Sequence, residues 1–407
     1  MRVDTGHLTY CTNIHAGKNW TEDFHALKQN FPDIKQRVSP TQPLGLGLRL
    51  SHKASLQLSE PDTLTEFKHW LQQNEAYVFT MNGFPYGDFH HAIVKENVHT
   101  PDWTTQERKD YTIRLFYILK ALLPSGIDGG ISTSPLSYRH WFNNKEDIEQ
   151  AKQTATSNII EVVKILIGIN QETGQLLHLD VEPEPDGLLE TGREFIDWFE
   201  KDLLVSGIPS IAQHFNLSAD QAEILLKEHV CLCYDVCHFA IGYEDHESVL
   251  TELAHKRIEV GKIQISSALK ADLSGTSANR ALIKTNFAMF NEPTYLHQVV
   301  GLKKDGSLIR YPDLPAALEA ADDENILQWR SHFHVPISVK EIGLLQSTQD
   351  DTVTLLKLQK NKPFTRHLEV ETYTWEVLPE HIKLPIAQSI SDELNWVIHT
   401  MSTHKAC

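Results

Sequence analysis

Short apolar runs recur along the chain and alternate with longer stretches whose apolar positions repeat at helical spacing. Runs of the first kind occupy residues 8–13, 44–51, 77–83, 130–135, 176–182, 230–236, 262–268 and 368–373. They read as strands. Amphipathic stretches at 104–123, 146–169, 192–204, 219–228, 247–257 and 352–359 read as helices, with a final one at 386–400. Start signals support some of them: Ser218 stands before Ala219, and Ser59 before Pro61. Eight strand–helix pairs predict an α/β fold of the (β/α)8 TIM-barrel type. The rhythm breaks once, after the seventh strand. There Lys304-Asp305-Gly306 separates two strand-like runs and predicts an inserted β-hairpin within an enlarged loop at about 290–340.

Composition keeps this picture and narrows the partners. Of 407 residues, 41% are hydrophobic and 22% charged, which suits a globular chain with a large core. No linker divides it, so residues 1–407 are expected to form a single barrel domain. The formal charge of -17 repels phosphate backbones and excludes nucleic acid as an expected partner. No run is long and apolar enough to predict membrane insertion, and Met1 to Leu8 shows no signal core. Three of the five cysteines, Cys231, Cys233 and Cys237, share one predicted strand, too extended to pair with each other. A reducing, cytoplasmic setting is expected.

In a barrel of this kind the active site lies at the carboxyl ends of the strands. Alternation puts Cys231, Cys233 and Asp235 on one face of the sixth strand, with His238 just beyond its end. His178, Asp180 and Glu182 share a face of the fifth, which Pro183 and Pro185 then end. The other strand ends offer Asn13 and His15, Arg49, Asn82, Gln264 and Ser266, and Glu369 and Glu371; the long loop offers His332 and His334 on one face. Converging carboxylates and imidazoles suit a divalent ion, zinc, manganese or magnesium. Gly45 and Gly47, beneath Arg49, predict room inside the barrel.

Plainer readings compete. Glu182 and Asp235 could be barrel carboxylates neutralised by Arg49. His238 could cap a loop, and His332 and His334 could be ordinary rim residues. Cys231 and Cys233 are expected to fill a barrel layer as small hydrophobes. His90-His91 reads as a solvated loop.

The segments Leu8 to His15, Leu44 to Leu50, Tyr77 to Gly87, Leu179 to Pro185, Tyr234 to His238, Ser331 to Pro336 and Leu368 to Trp375 resemble those of EboE metabolite-traffic proteins. These belong to the xylose-isomerase-like barrel superfamily. The resemblance implies a metal site in which Glu182, Asp235 and Glu371 are ligands, with His238 touching substrate. Where the superfamily usually has a histidine on the seventh strand, this chain has Gln264. That departure brings in Gln264 itself and His334 as candidate ligands, and a two-metal or shifted single-metal site as alternatives.

The expected activity is isomerisation or epimerisation of a small polyhydroxylated or phosphorylated metabolite. Glu182 and Glu371 would be the catalytic pair; Arg49, Asn82, His238 and His332 would bind substrate. The alternatives are a carrier that binds a metabolite without turning it over, and a phosphoester hydrolase drawing on His332 and His334. The resemblance also implies partner proteins of a metabolite-export pathway.

Overall fold

The structure is a computed structural model that describes residues 1–90 and 93–402. Eight strands form the barrel: β1 Gly6–Tyr10, β2 Leu44–Arg49, β3 Ala76–Asn82, β4 Gly129–Thr133, β5 Leu177–Val181, β6 Val230–Asp235, β7 Val260–Ile265 and β8 His367–Val370. All are parallel, in the order β1-β8-β7-β6-β5-β4-β3-β2, with Arg2–Val3 added antiparallel outside β1. A parallel bridge between Cys11 and Gly47 joins β1 to β2 and closes the ring. Every residue of β2 and of β4 to β8 is buried. That is why these strands read as continuous apolar runs: helices cover one face and the barrel interior the other.

The helices follow their local signals. Lys145–Thr173 begins where the Asn144 side chain accepts from the Asp147 amide and ends at Gly174, at φ 73°. Ser218 and Gln221 form a reciprocal cap on Ala219–His229. Ser59 does not cap the next helix. It ends His52–Leu58, and Glu60 precedes Pro61–Gln73.

The interior of the barrel is filled. A Cβ on Gly47 would lie 1.7 Å from Glu369 Oε1, so the space predicted beneath Arg49 holds a carboxylate. Lys262 Nζ meets Glu369 Oε2 at 2.5 Å, and both side chains are fully buried.

The predicted hairpin is present as Val299–Lys303 and Leu308–Tyr311, turning at Gly306. It belongs to a larger inserted unit. Ala268–Asp272, Ile326–His334, Leu345–Ser347 and Glu341–Ile342 join it in a six-stranded antiparallel sheet. The predicted seventh strand, 262–268, straddles the end of β7 and the start of this sheet, two apolar runs separated only by Ser266-Ser267. The insertion has its own core, built around Leu269, Phe287, Trp329 and Phe333.

Candidate metal centre

At the carboxyl end of β6, the chain turns directly into the short helix Val236–Ile241, and Asp235 is its cap. Asp235 Oδ1 accepts from the Cys237 amide at 2.8 Å, the His238 amide at 3.4 Å and the Ser266 hydroxyl at 2.6 Å. Oδ2 is buried and accepts nothing. It lies 3.8 Å from His238 Nε2 and 4.0 Å from His334 Nε2, and the latter also lacks a partner.

Three imidazoles meet there, and each is held from behind. His238 Nδ1 donates to the Pro183 carbonyl at 3.0 Å, and His334 Nδ1 to the Glu371 carbonyl at 2.9 Å. His332 Nδ1 faces Gln298 Oε1 at 2.9 Å; the Gln298 amide is oriented by its own donation to the Pro185 carbonyl at 3.2 Å. Carbonyl oxygens only accept, so each Nδ1 carries the proton in a neutral ring. The Nε2 lone pairs are thereby left exposed on the inner side. His238 Nε2 and His332 Nε2 face each other at 3.1 Å. Two lone pairs at that distance repel unless a positive charge lies between them.

One ligand atom from each of His238, His332 and His334 lies within 4.8 Å of the others, and the same holds for Glu182, Asp235 and His238. Ligands on a single zinc-class ion, bonded at about 2.0–2.2 Å, sit roughly 3–4 Å apart. The 3.1, 3.8 and 4.0 Å separations fall in that range. The donor set fits a divalent cation, and the carbonyl behind each ring is the support that metal-binding histidines need. Burial, and then the neighbouring rings, hold His332 well below the ordinary histidine value; burial lowers His334 as well. Both rings are kept neutral. Burial works upward on Asp235, yet His238, His334 and the Ser266 hydroxyl bring it below its usual value, so it stays charged.

The other predicted residues divide around this centre. Glu182 lines the cavity, 3.6 Å from His238 Nδ1 and 3.8 Å from Cys233 Sγ. Burial, then the charges of Glu371 and Asp235, raise it well above a normal glutamate. Glu371 is clamped: Asn13 and Asn82 donate to Oε1 at 2.8 and 2.9 Å, and Gln264 Nε2 donates to Oε2. Burial and Asp235 raise it too. Gln264 Oε1 accepts from Cys233 Sγ. Both ends of the Gln264 amide are therefore engaged, and neither Gln264 nor Glu371 falls in a group with metal-ligand spacing among the described residues. Asn82 supports Glu371.

Arg49 is turned away from the mouth. Its Nη2 donates to the carbonyls of Pro85 at 3.1 Å and Gly87 at 2.5 Å, and its guanidinium lies 5.8 Å from the Phe89 ring. It pins the loop after β3 and neutralises neither Glu182 nor Asp235. His90 is buried, with Nε2 2.5 Å from the Asn13 carbonyl, in place of the solvated loop expected; His91 lies outside the described residues. Cys231 and Cys233 are buried and unpaired.

The cavity over the centre measures about 60 Å³ and is walled by Phe84, Phe89, His99, Tyr295 and Tyr373. Glu184 sits in its wall, 2.9 Å from His99 Nε2. Sequence reasoning missed Gln298, His99 and Lys262. Only Lys262 carried a signal, as a lone charge inside an apolar strand.

No protein-family model matches the chain, and no curated protein matches it. Solved structures do. A xylose isomerase-like TIM barrel protein from Mycobacterium smegmatis, in complex with magnesium, aligns at a TM-score of 0.51 and 8% identity, over 98% of this chain and 97% of that one. The IOLI protein with a bound zinc atom aligns at 0.49 and 14%, over 98% and 100%. A protein described as a putative sugar phosphate isomerase/epimerase from Anabaena variabilis aligns at 0.47 and 11%, over 98% of each chain. The chain shares the TIM-barrel fold of the first of these. No helix among the described residues is long and apolar enough to cross a membrane.

Proposed function

We propose that this chain is a metal-dependent enzyme of the isomerase or epimerase kind, acting on a small polyhydroxylated or phosphorylated metabolite. The observation that carries this reading is the convergence of His238, His332, His334 and Asp235 beside the raised carboxyl of Glu182. Three imidazoles favour zinc over magnesium. A divalent ion bound there supplies Lewis acidity toward a substrate oxygen.

The chain's own residues do the rest. Glu182, with no strong hydrogen-bond donor on its carboxyl, moves a proton at the adjacent substrate carbon; a carboxylate raised above the ordinary glutamate range is a stronger base than a solvated one. Glu371, fixed by Asn13, Asn82 and Gln264, is the second carboxylate and holds a substrate hydroxyl. Phe89, Tyr295 and Tyr373 exclude water. A cavity of about 60 Å³ is well below the ~300–1,000 Å³ that encloses drug-sized ligands. The substrate is small, or the wall formed by the loop after β3 opens to admit it.

The test is Glu182→Gln on a panel of aldoses, ketoses and their phosphates, with metal content measured in parallel. Loss of turnover by about 10²–10⁴ with the ion retained is expected. Full turnover with the ion retained would remove the assignment. A hydrolytic reading is favoured by one observation, that His332 and His334 come from the insertion rather than from a barrel strand. Phosphate released from small phosphoesters would select it. Metal-dependent binding with no turnover would select a carrier, the role closest to the traffic function that the EboE resemblance implies.

A further inference from the structure

The opposite end of the barrel holds a second group with metal-ligand character. Asp128 lies in the turn before β4, His178 near the start of β5, and His367 is the first residue of β8. His178 Nε2 is 3.8 Å from Asp128 Oδ2, and His367 Nε2 is 3.6 Å from Asp128 Oδ1. One ligand atom from each of the three lies within 4.8 Å of the others. Asp180 stands behind His178, accepting from Nδ1 at 2.5 Å. A carboxylate in that position fixes the tautomer and turns the Nε2 lone pair toward Asp128.

The surrounding strands make room for this group. A Cβ on Gly130 would lie 2.4 Å from His178 Cε1, and one on Gly261 1.9 Å from Asp180 Oδ1. His367 is fully buried, and neither ring nitrogen has a hydrogen-bond partner. A proton on His178 would balance Asp128 and Asp180 yet leave His367 unserved. A cation serves all three. A cavity of about 420 Å³, lined by Asp128, His178, Cys231 and Arg366, leads to the group from solvent. Arg366, whose side chain is 63% exposed, meets Asp128 Oδ1 at 3.2 Å and is free to swing aside.

We propose that Asp128, His178 and His367 form a second divalent-cation site, a zinc-class brace across the barrel floor. It would tie β5 to β8, which β6 and β7 separate in the sheet, and to the turn entering β4. Conserving a barrel's floor for stability while its mouth does chemistry is the division of labour the fold favours. The site is independent of the reading given for the mouth.

The test is zinc uptake by chelator-stripped full-length protein, measured by equilibrium dialysis and elemental analysis. Two equivalents are expected in the unmodified chain, one in Asp128→Asn, one in His367→Gln, and one in His334→Gln. If the floor variants keep the unmodified stoichiometry while His334→Gln loses an equivalent, the floor site is refuted. If the floor variants lose the single equivalent that the chain binds, the floor stands and the mouth reading falls. Should the variants fail to fold, anomalous diffraction at the zinc edge on the unmodified protein decides: a peak between His178 and His367 supports the site, and a peak at the mouth alone overturns it.

Discussion

Gln298→Met tests the tautomer argument on which the mouth centre rests. Gln298 touches no ligand atom of the candidate ion directly. It accepts from His332 Nδ1 at 2.9 Å and donates to the Pro185 carbonyl at 3.2 Å. Methionine keeps much of the volume and removes the acceptor. His332 is then free to place its proton on Nε2, where it finds the His238 Nε2 lone pair 3.1 Å away. That tautomer blocks the ligand. Loss of a partner of this kind costs about 10–100-fold in metal affinity, or about 1.4–2.7 kcal/mol. The metal-free protein loses a hydrogen bond to Pro185 and partly recovers the one from His332, a net loss of about 1–2 kcal/mol. Gln298→Glu separates the two effects. A carboxylate still accepts from His332 Nδ1 but cannot donate to Pro185. Zinc affinity should therefore follow Glu ≥ Gln > Met, whereas metal-free stability should be highest for Gln. Zinc competition against a chelating dye, in an Asp128→Asn background, and urea unfolding of the stripped protein measure both orders. Affinity of Gln298→Met within twofold of the parent would refute the reasoning, as would affinity and stability falling in parallel across both variants.

Lys262→Met leaves Glu369 charged and unpaired in the barrel interior and should destabilise by about 3–5 kcal/mol. Lys262→Met with Glu369→Leu should recover most of that loss in denaturant unfolding, and a double variant no better than the single one would contradict the pairing. Glu393 is raised from 4.5 to about 7 by burial, although the Thr372 hydroxyl and the Ile337 amide favour its charged form. A raised carboxyl stabilises the fold fully below about 4.5 and loses that contribution as pH climbs through about 7. At about 1.36 kcal/mol per unit this is on the order of 3 kcal/mol. Glu393→Gln keeps an acceptor at Oε1 for both donors, so stability measured from pH 5 to 8 should lose much of its downward slope. An unchanged slope would show that Glu393 does not titrate in this way.

Periodicity located the eight barrel strands because most of their residues are buried on both faces, so apolar residues dominate each run. It failed after β7. Ala268–Asp272 follows β7 so closely that the two strands merged into one predicted run, and only the Asp305-Gly306 turn betrayed the inserted sheet. Strand alternation was enough to set Glu182, Asp235 and His238 together. It could not say which oxygen or nitrogen is free, because that depends on Pro183, Gln298 and Ser266, partners supplied by other segments. Arg49 shows the same limit: its strand position points to the mouth, but its five-donor head reaches back to the carbonyls of Pro85 and Gly87. Glu371 shows it too: Asn82 and Gln264, from two strands, and Asn13, from the 3-10 turn after β1, converge on its carboxylate.

On β7 the Gln264 amide joins Glu371 to Cys233. Two of the three imidazoles at the mouth come from outside the barrel. Strand Ile326–His334 pairs with Ala268–Asp272, and the register shifts between Ser331 and His334. Alternation through that irregular stretch turns Phe333 into the insertion's own core, against Phe290. His334 Nε2 thereby comes within 4.0 Å of Asp235 Oδ2, and His332 Nε2 within 3.1 Å of His238 Nε2. The cluster of three imidazoles is assembled only when the insertion is folded and docked, so a metal bound there would depend on the insertion's core as well as the barrel's. An insertion of this size is more than rim decoration: it holds two of the three imidazoles, along with the Gln298 that sets the tautomer of one of them.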